Sequence, residues 1–156
     1  MRRSKLRIGS VTTVAALATG ALALAPAASA VEPTTATVSA DCGTYGSGEA
    51  TLVATQNGTS ATITLTSSAV TAPIDVPAGS VRSTLTLTRN GSGTTTFTGS
   101  SNPAMGAGDA VTTGPLSGTV TAGDVLEAQS LRFTVFGIIT VTCTATSPQS
   151  PGPFVF

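Results

Sequence analysis

The sequence predicts an all-β protein: an Ig-like antiparallel β-sandwich of about seven to nine short strands, with one disulfide, preceded by a cleaved signal peptide. Three observations predict it. Apolar and polar residues alternate with a period of two in several runs. Asn-Gly and Gly-rich turn signals recur about every 8–12 residues, the rhythm of short strands in a sandwich. Two cysteines, an even count, suit a single bridge in an oxidising compartment.

Taken in order, residues 1–30 read as the signal peptide. Arg2, Arg3, Lys5 and Arg7 form a basic n-region, and an apolar run extends to Ala25. Pro26 ends it, and Ala28-Ser29-Ala30 supplies the small-x-small pattern for cleavage between Ala30 and Val31. Lys5 occupies the position where a twin-arginine signal carries an aromatic residue, so the pattern favours the general secretory route. Residues 31–147 form the expected sandwich domain, and 148–156 a Pro-rich C-terminal tail.

Within the domain, Val38, Ala40 and Cys42 share parity near its start. Asn57-Gly58 between two strand-like runs is a strong hairpin signal. Ala61, Ile63 and Leu65 alternate with Thr62, Thr64 and Thr66, and Leu85 and Leu87 alternate with Thr84, Thr86 and Thr88. Pro73 and Pro77 frame an edge strand or a connection, since proline cannot donate to a sheet ladder. Asn90-Gly91-Ser92-Gly93 reads as a second hairpin leading into residues 94–98, and residues 100–109 as the longest loop. Strands follow at 116–121 and 131–135, separated by a turn at Ala122-Gly123-Asp124. Phe136-Gly137 is a tight turn or a bulge. Ile139, Val141 and Cys143 then share one face of a last strand, so that a Cys42–Cys143 bridge would tie the first strand region to the last. A closed barrel is the alternative arrangement of the same strands.

Composition excludes several functions. Without residues 1–30 the chain keeps Arg82, Arg89 and Arg132 against seven carboxylates, a formal charge of −4. Three scattered arginines do not suit nucleic acid, whose binding aligns many cations with phosphates. No apolar segment beyond residue 30 reaches the ~20 residues that span a bilayer, so no membrane insertion is expected after cleavage. The body holds 27 threonines and only ten charged residues. Threonine, β-branched and polar, therefore supplies the solvent faces of the strands.

The chemistry is sparse. Histidine and tryptophan are missing from the chain, and its only lysine is Lys5. A serine nucleophile thus lacks its usual base, and the Ser-Lys variant and Schiff-base chemistry are removed from the body. Asp109, Asp124 and Glu127 are the candidate carboxylates for glycoside hydrolysis, but the aromatic platforms that hold sugars are scarce, and the turn-forming role is favoured. Asp124 and Glu127 lack the alternating pattern of a calcium loop, and Gly106-Ala107-Gly108 precedes no helix that could cradle phosphate. The sequons at Asn57 and Asn90 are explained by turn chemistry. No catalytic, cofactor or metal residue is expected.

Residues 21–30, the early Cys42, Val76-Pro77-Ala78-Gly79, Gly114-Pro115-Leu116-Ser117-Gly118 and the late Val141-Thr142-Cys143-Thr144 resemble small secreted actinobacterial β-sandwich proteins of unknown function. That resemblance implies the fold and the disulfide. The Thr/Gly/Ala-rich body and Pro33-Thr34-Thr35-Ala36-Thr37-Val38 are also similar to neocarzinostatin-type apoproteins, which carry a chromophore in a cleft flanked by two disulfides; this chain can form one. The expected function is a secreted, non-enzymatic protein with an extracellular or cell-envelope binding or structural role toward an unknown partner. The alternative is a carrier of a small apolar ligand between the sheets, lined by residues such as Phe97, Phe133 and Phe136.

Overall fold

A computed structural model describes residues 30–156. The expected signal peptide lies outside the described residues except for Ala30. Val31, the first residue after the expected cleavage point, is buried in the core.

Nine strands form among the described residues: β1 (Thr35–Asp41), β2 (Ser47–Asn57), β3 (Ser60–Thr71), β4 (Val81–Arg89), β5 (Gly93–Gly99), β6 (Ala110–Thr119), β7 (Val125–Val135), β8 (Ile139–Ala145) and β9 (Phe154–Val155). One 3₁₀ turn, Gly43–Tyr45, follows β1. The alternating runs behave as expected. In β4, Val81, Ser83, Leu85 and Leu87 point inward between outward-facing Arg82, Thr84 and Thr86. Threonine lines the outside, where Thr55–Thr62, Thr66–Thr112 and Thr134–Thr140 join their hydroxyls across adjacent strands.

The all-β class holds, and the arrangement departs from an open Ig-like sandwich. Pairing runs β4-β5-β6-β3-β2-β1-β8-β7 and returns from β7 to β4, so eight strands close into a barrel. Each half is a broad four-stranded ladder, β6-β3-β2-β1 and β5-β4-β7-β8. The seams between halves are short. β5 meets β6 only at Thr98↔Ser117, and β1 meets β8 only at Ala40↔Ala145 and Asp41↔Thr144. Periodicity reports which face of a strand is buried and says nothing about which strand edges meet, which is why closure escapes a sequence reading.

The second seam explains the disulfide. Cys42 and Cys143 are bonded, and they occupy the next positions in the register after Ala40↔Ala145 and Asp41↔Thr144. The bridge is thus the third rung of a two-rung ladder.

The Pro-rich tail is corrected. Residues 148–156 belong to the barrel: β9 pairs with β7 through Val125↔Val155 and Leu126↔Phe154, and Phe154 and Phe156 are fully buried, edge to face with each other. Beyond the end of β8, this segment also completes the wall. Ser150 exchanges backbone hydrogen bonds with Thr37. The side chain of buried Gln149 accepts from the Ala128 N–H and donates to the Gly152 carbonyl. The domain therefore runs through to Phe156.

Antiparallel order places the loops 42–46, 72–80, 100–109 and 136–138 at one end of the barrel. The turns 58–59, 90–92 and 120–124, together with β9, lie at the other. This polarity organises the interior.

Candidate functional site

The two ends of the barrel are filled differently. Toward the β9 end the inward positions carry large side chains, Leu52, Ile63, Leu87, Phe97, Leu116, Leu126, Phe154 and Phe156, packed into one continuous core. Toward the other end several inward positions shrink to Ala40, Gly48 and Ala50. Small side chains cannot meet across a barrel of eight strands, so a hollow remains.

That hollow has two parts. One, about 60 Å³, lies between the main core and a second cluster that contains Cys42, Val70, Phe133 and Cys143. The other, about 50 Å³, is bounded by Tyr45, Ile74, Met105, Val135, Ile139 and neighbours. Val70, Val111 and Phe133 line both, so the two adjoin. The lining is apolar apart from a few groups, and the buried Thr113 hydroxyl is satisfied by Ser83 at 2.6 Å.

The rim continues the apolar surface to the outside. Tyr45, Ile74, Phe136, Ile138 and Ile139 are all exposed at this end, and Ile138 is the extreme case at 80 %. Exposed single hydrophobic residues need no explanation, but a cluster beside a hollow does. Of the aromatic residues expected to line a ligand space, Phe133 does so. Phe97 is instead sealed into the packed half, and Phe136 stands outside on the rim.

The carboxylates are dispersed. Asp124, nearly buried, takes a two-pronged contact from the Arg89 guanidinium, one prong being Nε to Oδ1 at 2.9 Å. It also accepts the Thr121 N–H at 2.7 Å. The hydrogen bonds from Arg89, ahead of burial, which opposes them, hold its carboxyl below the usual aspartate range. Asp109 lies at the opposite end of the barrel, where it accepts the Gly106 N–H within a loop. Glu127 faces the C-terminal segment and accepts the Gln149 N–H at 3.2 Å. No group of three or more acidic, cysteine or histidine side chains suited to a metal forms among the described residues. No helix among them is long and apolar enough to cross a membrane.

The site missed by sequence reasoning is the rim itself. Tyr45 and Ile74 are separated from 136–139 by whole strands, and only the closed topology brings them together. One local signal was available: Phe136-Gly137-Ile138-Ile139 puts large apolar residues in a turn, where polar ones are usual.

Fold and site together define a disulfide-tied, eight-stranded β-barrel with two buried clusters and a small apolar hollow at the end away from β9. No family model, curated protein or solved structure matches this chain.

Proposed function

We propose that this is a secreted, non-enzymatic binding protein that acts through the open end of its barrel. The observation that carries the reading is the coincidence of an apolar hollow with a rim of exposed apolar side chains. Soluble proteins seldom leave such a cluster uncovered without a partner for it. The signal-like features of residues 1–30 and the Cys42–Cys143 bridge support export and cleavage before Val31. The two four-stranded halves support an Ig-like layer pair whose edges have met, because both seams are so short.

The carrier reading gains over a purely structural one, because a scaffold protein has no need of an unfilled interior. The hollow is nevertheless small. A compact drug-sized body needs a cleft of ~300 Å³ or more, well beyond either part.

An environment-sensitive dye, anilinonaphthalene sulfonate, tests the reading. The native oxidised protein should enhance its fluorescence saturably, and Tyr45→Ser, Ile74→Ser and Ile138→Ser together should abolish that response without lowering the thermal midpoint. Equal enhancement by the triple variant would place dye binding elsewhere and overturn the assignment.

A further inference from the structure

Successive residues of a strand turn their backbone groups to opposite edges, so each group of β8 can be followed to its partner. The Thr146 N–H reaches the Ser39 carbonyl of β1, which fixes the phase. Even-numbered residues of β8 therefore address β1, and odd-numbered ones address β7. Toward β7 the ladder is continuous from Ser130↔Thr144 to Val135↔Ile139. Toward β1 it stops at Asp41↔Thr144. Thr142 and Thr140 lie beyond that point.

The chain itself ends the pairing. Gly43, next in line for Thr142, gives its N–H to the Asp41 carboxylate at 2.8 Å, and its carbonyl accepts the Gly46 N–H at 3.1 Å. It turns away into the 3₁₀ turn with a φ of 64°. Among the described residues no backbone group bonds Thr140 or Thr142 on this side, and both are exposed. From Ile139 to Thr142, β8 thus presents a bare sheet edge beside the rim. Such an edge is a template for another extended chain.

The inward side chains of the same stretch limit the guest. Ile139 and Val141 line the hollow of about 50 Å³ with Tyr45, Val70 and Ile74. A residue paired opposite Val141 points its side chain to the same face, where it meets that apolar lining. A second copy suits the edge poorly. Two β8 strands set antiparallel so that both threonines pair would bring one copy's 136–138 turn onto Asp41, which already holds Thr144.

We infer that the edge of β8 receives an extended peptide of another protein, added as a short strand through the backbone of Thr140 and Thr142. Its residues alternate, polar ones outward beside the two threonines and small apolar ones inward against Val141 and Ile139. This rests on the open-end binding proposed above and adds the class of partner.

Tyr45 is the chain's only tyrosine and tryptophan is missing, so tyrosine fluorescence reports on this place. The oxidised protein is titrated with the capped peptide acetyl-Thr-Val-Thr-Val-Thr-amide. A second titration uses the same peptide N-methylated at its threonines, which keeps the side chains and removes the donors. The first peptide should change the signal saturably and the second should not. By NMR, the Thr140 and Thr142 amides should exchange their hydrogens ahead of Val141 and Cys143 in the free protein, and slow when the peptide is added. Thr142→Pro removes an edge-facing N–H, which an open edge tolerates. It should fold and weaken the peptide about tenfold, the worth of one backbone hydrogen bond.

Thr140 and Thr142 amides already protected in the free protein would overturn the proposal. So would a Thr142→Pro variant that folds and binds as the parent does. Protection that grows with protein concentration alone would overturn the peptide in favour of a second copy. Silence of the peptide beside a responsive anilinonaphthalene dye would overturn the peptide and leave the open-end reading standing. Silence of both would end both readings.

Discussion

Gly118 lies so close to the ring of Phe97 that a β-carbon on it would sit 2.6 Å from the ring's Cδ2. Phe97 is on β5 and Gly118 on β6, the two strands that share a single paired position, Thr98↔Ser117. The ring lying over a residue without a side chain joins this seam by packing where hydrogen bonds are few.

Gly118→Ala should therefore destabilise the protein by about 1–3 kcal/mol through overpacking. Urea unfolding followed by circular dichroism measures it. Combining the substitution with Phe97→Leu should recover part of the loss, since the smaller side chain makes room. An additive double variant would contradict the packing account.

The opposite seam depends on Cys42 and Cys143, which close a loop across a sequence separation of 101. Replacing both by alanine, or reducing the bridge, should cost about 2–5 kcal/mol. Differential scanning calorimetry with and without reductant gives the answer. An unchanged midpoint would mean that the ladder at Ala40 and Asp41 holds the seam without covalent help.

Residues 148–156 should prove indispensable. Phe154→Ala removes a fully buried ring from the main core and should cost about 3–5 kcal/mol. Deleting the segment should leave Val125 and Leu126 of β7 and Thr37 of β1 without the partners it supplies, and yield protein that loses cooperative unfolding. A truncated chain melting like the parent would restore the tail reading.

Acid stability should depend on Asp124. Its carboxyl is held below the usual aspartate range in the folded state, chiefly by Arg89. A depressed carboxyl stabilises the fold above its unfolded value, and that contribution fades as pH falls through the folded one. The thermal midpoint should decline from about pH 5 toward about pH 2, and Asp124→Asn should lower it at neutral pH while flattening that acid limb. Parallel acid limbs for parent and variant would deny Asp124 this role.

Local chemistry was legible in the sequence wherever one strand decides its own pattern. Ala61, Ile63 and Leu65 face the core as alternation requires, and the Asn57-Gly58 and Asn90-Gly91 signals fall at the ends of paired strands. Cys42 and Cys143 met as parity suggested. The strands at 116–121 and 131–135 proved longer for identifiable reasons. β6 carries Pro115 and a register irregularity opposite Ile63 and Leu65, which mask its first half. β7 has an extra residue at Gln129, between the positions facing Thr86 and Leu87, which breaks its alternation. The short terminal strand had too few residues for any periodicity, so Phe154 and Phe156 read as a tail. The rim, assembled from three separate stretches of chain, has no linear signature except the turn at Phe136.

The rung formed by Cys42 and Cys143 also decides what a reduced copy of the protein would look like. Parting β1 from β8, and from the Thr146 and Ser150 contacts that continue its edge, would unroll the barrel into one ribbon ordered β1-β2-β3-β6-β5-β4-β7-β8, with bare hydrogen-bonding edges on both sides. Such edges are templates for pairing with another chain. The bridge is thus one of the bonds that cover these edges, and where its reduction parts the seam the outcome to measure is fibrous self-association before loss of any individual strand.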